Sequence, residues 1–249
     1  MAGAAVTVAE SRGSMGGMHG KALFAGLPAA LLDAWAVVMP TECVGCHAAD
    51  RALCPACRQG LRPEVHEARR EGVPVWCGLD YSGVARHVIG AFKDGGRTDA
   101  AGALAMPLRL AVTAALGVAT PASARRGVRL VVIPSSTAAW RARGFHPVEL
   151  ILKRAGLTAT TALRTVAPVA DQVGLGREER TVNRRGSLRA VRRLDGFACV
   201  VVDDILTTGA TLLEARRAIS EAGGHVVGMA ALAERRRLHP VTEPSLKSH

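Results

Sequence analysis

Asp203 and Asp204 stand side by side in the stretch CVVVDDILTTGAT, residues 199–211. Apolar, branched residues precede them, and Thr207, Thr208, Gly209, Ala210 and Thr211 follow after two more apolar positions. An apolar run of this kind reads as a strand covered on both faces, which puts the carboxylates at its carboxyl end, where open parallel sheets hold ligands. The threonine-glycine turn then opens a helix, whose first N–H groups and dipole make a seat for an anion. Gly209 permits close approach of the backbone, and the threonine hydroxyls add donors. Carboxylates that accept from vicinal hydroxyls, set beside a phosphate seat, are the chemistry of a phosphorylated ribose. The plainer reading is a strand-to-helix turn with solvated aspartates. The unbroken succession of strand, acids and loop weighs against it.

A second cluster is CVGCHAADRALCPAC, which spaces Cys43, Cys46, Cys54 and Cys57 as Cys-x2-Cys-x7-Cys-x2-Cys. Each close pair lets two thiolates meet one ion through a tight turn, and two pairs complete a tetrahedron around structural zinc. A redox pair is the alternative, but a dithiol oxidoreductase needs only one such pair. Four ligands close the site, so no catalysis is assigned to it. His47 is not needed as a fifth ligand and reads as a surface residue; Cys77 and Cys199 read as buried thiols in apolar strands.

The elements that must position these groups follow from punctuation and periodicity. Residues 1–20 lack periodicity and are expected to be a disordered tail, with Met15 or Met18 as alternative natural starts. Residues 21–63 hold a short helix and the cysteine knuckle, HEARREG reads as a polar connector, and VPVWCGLDYS as a strand running into a turn. Residues 83–116 read as two helices broken by KDGGRTD, with Asp99 near the second N-terminus. VRLVVIPSS is a strand, PVELILKRAG a helix ending at Gly156, and LTATTALRT a strand candidate. FACVVVDD, GATLLEARRAISEAGG and HVVGMAALAER give strand, helix and strand. This order predicts an α/β fold with a mostly parallel sheet over 74–236, a small zinc module ahead of it and a C-terminal tail at 237–249. Within it, residues 165–193 are glycine-punctuated and arginine-rich, and are expected to form a flexible loop.

Of 249 residues, 49% are hydrophobic and the formal charge is +11. That charge reads either as a solvated arginine-biased surface or as a surface for nucleic acid or polyphosphate. Arg141, Arg143, Arg177, Arg180, Arg184 and Arg185 are the cations expected to neutralise a DNA backbone or to close over a pyrophosphate, a mobile solvated segment being the alternative for the loop. Aromatic residues, at 3%, offer little to stack bases on, Trp140 and Phe145 being the nearest. The apolar stretch ALFAGLPAALLDAWAVVM is interrupted by Pro28 and Asp33 and has no small-residue cleavage site, so neither secretion nor a spanning helix is expected. A packed amphipathic helix is the expectation, with peripheral membrane contact as the alternative. Paired cysteines then read as metal ligands in a reducing, cytoplasmic setting.

VVVDDILTTGAT resembles the phosphoribosyl pyrophosphate (PRPP) motif of type I phosphoribosyltransferases. That resemblance implies a Rossmann-like core, a loop closing over the site, and magnesium bound with PRPP. Asp203 and Asp204 would hold the ribose hydroxyls, residues 207–211 the 5′-phosphate, and Ser135 and Ser136 in PSST the pyrophosphate. Purine-using members carry an aspartate where this chain has Thr207, which cannot act as a base near neutral pH; purine acceptors are therefore disfavoured, whereas orotate- and uracil-type sites manage without that acid. Together with the cysteine knuckle, the stretches YSGVARHVIGAFKDGG, RARGFHPVELI and QVGLGREERTVNRRGSL resemble the ComF family of competence proteins. That family resemblance implies single-stranded DNA and a DNA-uptake helicase as partners. His146 and Pro147 replace the family's Asn-Gln pair, and the proline suits the first turn of a helix. Three readings follow: an aid to DNA uptake with a phosphoribosyl ligand, an active phosphoribosyltransferase of unassigned acceptor, and a non-catalytic PRPP sensor.

Overall fold

The computed structural model describes residues 42–49, 52–117, 127–166 and 186–236. Its centre is a six-stranded sheet in which residues 66–70, 73–80, 225–234, 198–206, 128–132 and 159–160 lie side by side in that order. Strands β1 (His66–Arg70) and β2 (Val73–Asp80) form an antiparallel hairpin at one edge. Strands β3 (Val128–Val132), β4 (Ala159–Thr160), β7 (Ala198–Leu206) and β8 (His225–Glu234) add to β2 in parallel. A separate antiparallel pair joins β5 (Leu163–Thr165) to β6 (Leu188–Ala190).

Alternation along the central strands builds two cores. Val200, Val202, Ala230 and Leu232 face one side of the sheet, against α2 (Gly83–Asp94), α3 (Ala101–Gly117) and α5 (Pro147–Arg154). Cys199, Val201, Met229 and Ala231 face the other, against α6 (Ala210–Glu221) and the β5–β6 pair. The result is the expected three-layer α/β arrangement. Helix α3 seats closely because β2 and β8 present glycines to it. A Cβ on Gly78 would lie 2.4 Å from the Pro107 carbonyl oxygen, and one on Gly228 2.5 Å from that of Ala115. The stretch Thr98–Gly117 is long and apolar enough to cross a bilayer, but half of it is buried in the protein, and Leu104, Leu108 and Ala111 lie in the core. It is therefore a core helix. The apolar stretch at 22–39 lies outside the described residues.

The structure corrects two of the segments read from sequence and the ends of the arginine-rich loop, and adds a helix at 137–143 where no element was read. HEARREG is not a connector: its first five residues are β1, an edge strand in which only Ala68 is buried. Little alternation marks such a strand because one of its sides faces solvent. LTATTALRT is two short strands in different sheets rather than one. Residues 137–143 form α4 (Thr137–Arg143), capped by the Ser136 hydroxyl, which accepts from Ala139 N–H at 3.2 Å. Strand pairing also takes in Thr165 and Leu188–Ala190, at both ends of the span read as arginine-rich loop. Pro147 does open a helix, as its position predicts.

Candidate functional site

In a parallel sheet a cleft forms where strand order reverses, because crossovers leave neighbouring strands on opposite sides. Here that point lies between β3 and β7, paired in register from Val128↔Ala198 to Val132↔Val202. A cleft of about 400 Å³ opens beyond their carboxyl ends. Asp203, Asp204, Thr207 and Thr211 line it together with Ser135 and Ser136.

The loop after β7 turns at Gly209, whose φ of 81° is left-handed and which serves as the N-cap of α6. Its side-chain position is also closed: a Cβ would lie 2.7 Å from the Arg70 stem. Thr208 Oγ1 accepts from Ala210 N–H at 3.3 Å, and Asp203 Oδ1 accepts from Asp204 N–H at 2.8 Å. Lys93, from the last turn of α2, pairs with Asp204 at 2.7 Å, with both side chains mostly buried. Arg143 lines the cleft and pairs with Asp94 at 3.1 Å. His146 Nδ1 lies 3.3 Å from Ser135 Oγ, and both residues that depart from the Asn-Gln pattern, His146 and Pro147, line the cleft.

The sequence-derived candidates are thus divided. Asp203, Asp204, Thr207, Thr211, Ser135, Ser136 and Arg143 share the cleft wall. Arg141 is exposed on α4. Arg177, Arg180, Arg184 and Arg185 lie outside the described residues. No local pattern in the sequence ties Lys93, at the end of one helix, to a carboxylate on a distant strand. Tyr81 and Arg235, which also line the cleft, come from the ends of β2 and β8.

The four cysteine sulfurs all lie within 4.8 Å of one another. Cys46 and Cys54 are 3.7 Å apart, close to the roughly 3.8 Å edge of a tetrahedron built on zinc–thiolate bonds of about 2.3 Å. Cys54 N–H donates to Cys43 Sγ at 3.3 Å, and Cys57 N–H to Cys54 Sγ at 3.4 Å. Burial opposes ionisation of Cys43, yet backbone N–H groups of Cys54, Gly45 and Cys46 outweigh it and bring the thiol down to about 6. Such a donor set suits a metal ion. Val44 and Leu61 bury into the main core, and α1 (Pro55–Gln59) carries Cys57. His47 is exposed beside Glu42, as a surface histidine.

A second group, His66, Asp80 and Glu234, also lies together. Its carboxylates already face cations: Arg70 reaches Glu234 at 2.7 Å, and Arg236 lies 2.9 Å from Asp80 Oδ1, an oxygen that nonetheless accepts no hydrogen bond among the described residues. It is an ion-pair network. Burial opposes ionisation of Glu234, but hydrogen bonds from Arg70 and His66 prevail and hold its carboxyl below the ordinary range. Cys77 and Cys199 are buried and their thiols are pushed up to about 12, chiefly by that burial.

Among solved structures, the chain is similar to an adenine phosphoribosyltransferase, with 14% identity over 72% of this chain and 89% of that one and a TM-score of 0.34. It is also similar to the adenine phosphoribosyltransferase of Rhodothermus marinus, with 17% identity over 73% and 88% and a TM-score of 0.31. A stretch of 52 residues is 50% identical to the orotate phosphoribosyltransferase of Pyrobaculum calidifontis, covering 20% of this chain and 27% of that protein. The chain thus spans about a quarter of the length of that curated relative. Residues 144–243, which include the β7–loop–α6 unit, match the model described as the phosphoribosyl transferase domain. Residues 144–243 are thus what this chain shares with a phosphoribosyl transferase domain.

Proposed function

We propose that the cleft binds PRPP or another ribose 5-phosphate, in a cytoplasmic ComF-like protein that assists DNA uptake. The observation that carries the ligand is the meeting of Asp203 and Asp204 with Thr207, Thr211 and Ser135 in one cleft, at a loop that turns on Gly209. In this reading the two carboxylates accept from the ribose hydroxyls, the loop N–H groups hold the 5′-phosphate at the start of α6, and Ser135 and Ser136 face the pyrophosphate. Lys93 holds Asp204 in place through their ion pair. Carboxylate oxygens at Asp203 and Asp204 are hard donors that fit magnesium arriving with PRPP, which would neutralise charge on the pyrophosphate. Zinc in the cysteine module is structural.

The DNA-uptake role draws support from the joining of a four-cysteine module to this core and from α4. That helix exposes Trp140 and Arg141, while its Ala139 and Arg143 line the cleft. An aromatic face beside cations suits single-stranded DNA, and a DNA-uptake helicase would be the protein partner. Transfer of the phosphoribosyl group is the second reading. There the bond from C1 to pyrophosphate breaks, its electron pair leaving with pyrophosphate, as an acceptor nitrogen bonds to C1 and releases its proton. Similarity to an orotate phosphoribosyltransferase and Thr207 in place of an acid favour a pyrimidine-type acceptor over a purine.

One experiment separates these readings: PRPP binding and pyrophosphate release with magnesium and pooled nucleobases, for the native chain and the Asp203→Asn/Asp204→Asn variant. The native chain is expected to bind PRPP and the variant to bind at least about tenfold more weakly, with its circular dichroism unchanged. A native chain that does not bind PRPP overturns the ligand assignment. Release that vanishes in the variant decides for transfer; binding without release leaves the DNA-uptake role with PRPP as its regulator. A parallel oligonucleotide titration, unaffected by salt or by Arg184→Ala/Arg185→Ala, would remove the DNA role.

A further inference from the structure

The phosphate loop has a back as well as a front, and the back is held by the edge hairpin. Arg70, the last residue of β1, donates from Nε to the Thr207 carbonyl oxygen at 2.8 Å. Its Nη2 donates to Glu234 Oε1 at 2.7 Å, and Glu234 in turn lies 3.0 Å from His66 Nε2. The Arg70 stem packs against Gly209 closely enough to exclude any side chain there. Arg70 and Glu234 side chains are 18% and 10% exposed, so their ion pair is largely shielded from water, whereas the bond to Thr207 lies at the exposed rim of the loop.

These contacts fix the orientation of one peptide plane. In a trans peptide the carbonyl and the following N–H point in opposite directions. Drawing the Thr207 carbonyl toward Arg70 therefore turns the Thr208 N–H away from Arg70. A guanidinium on the carbonyl also polarises the peptide and strengthens that N–H as a donor. Glu234 balances the charge of Arg70, which keeps the arginine from collapsing forward into the anion seat.

We propose that Arg70, held by Glu234, is a positioning residue for the 5′-phosphate loop, acting from behind through the Thr207 carbonyl. This role rests on the ribose-phosphate reading of the loop. It explains why an arginine from outside the β7–loop–α6 unit meets the loop twice, by a hydrogen bond to Thr207 and by contact with Gly209.

The test measures ribose 5-phosphate and magnesium pyrophosphate binding by calorimetry for the full native chain, Arg70→Met, Arg70→Lys and Glu234→Gln. Amide hydrogen exchange at residues 207–211 is followed in each. Arg70→Met is expected to weaken ribose 5-phosphate about tenfold, the size of one lost charge-assisted hydrogen bond, and pyrophosphate by less than twofold. Exchange at 207–211 should quicken while that at Val200–Val202 stays slow. Arg70→Lys should recover part of the affinity, since an ammonium reaches one acceptor but cannot span two in a fixed fork. Glu234→Gln, which keeps the shape and removes the charge, should fall between. Equal loss of both ligands, or unchanged exchange at 207–211 in Arg70→Met, would overturn the role. A native chain that binds neither ligand overturns the ribose-phosphate site and this role with it, whereas one that binds both equally well with or without Arg70 overturns the role alone.

Discussion

The cysteine module and the cleft are assembled by opposite means. The module gathers its four sulfurs from one short stretch, with backbone N–H groups of the same stretch turned onto them. It meets the rest of the molecule through Val44, Leu53 and Leu61 at the main core and through Arg97, which donates to the Glu42 carbonyl at 3.2 Å. The cleft gathers side chains from Tyr81 to Arg235, carried by the ends of strands and helices on both sides of the sheet. A site made locally depends on its own chemistry and fails when a ligand atom is lost. A site made by the sheet inherits the stability of the core and fails by geometry, with the fold intact.

That contrast can be broken most severely at the module. Cys57→Ser removes a buried sulfur and is expected to take metal content from about one ion per chain to near zero by elemental analysis. Because Val44 and Leu61 then lose their footing, thermal unfolding should drop by roughly 10 °C. Full metal retention with unchanged unfolding would mean that the sulfurs do not share an ion. The cleft should respond in the other sense. Gly209→Ala forces a side chain onto a left-handed backbone and into the Arg70 stem. PRPP affinity should fall on the order of 30-fold, while unfolding shifts by only about 2–4 °C.

The smallest effect sharpens the comparison at the junction of the two sheets. Glu214, 5% exposed on α6, accepts from the Leu188 N–H at 3.0 Å and pairs with Arg217, which donates to the Leu188 carbonyl at 3.0 Å. Burial opposes its ionisation, but the Arg217 and Leu188 bonds prevail and its carboxyl sits below the ordinary 4.5. A depressed folded value means that this stabilisation is complete above the ordinary glutamate range and fades as pH falls through the folded value. Glu214→Gln should cost about 1–2 kcal/mol at pH 7 and flatten the acid limb of stability, as read by urea unfolding from pH 7 to pH 3. An acid limb as steep as that of the native chain would refute the linkage.

What could be read in advance follows the same division. The β7–loop–α6 unit was legible because strand, acids, turn and helix are contiguous, and the apolar run of a doubly covered strand announces itself. The cysteine spacing was legible for the same reason. Strand β1 was not, since an edge strand with one buried residue has almost no pattern, and with it Arg70 went unseen behind the loop it touches. Lys93 and His146 face the cleft only because helices α2 and α5 pack on one side of the sheet. Helix α4 was hidden because no residue in it is buried, so no periodic apolar face marks it.

Gly78 and Gly228 have a consequence for how sequence variation in this chain is to be interpreted. Each is a notch in a strand that admits a carbonyl of α3, and together they set where that helix rests along the sheet. Even alanine at either place would push a backbone atom. A library of substitutions would therefore return glycine at 78 and 228 almost without exception, as strictly as at Gly209. Invariance at those two positions would record the seating of a helix and say nothing about a ligand.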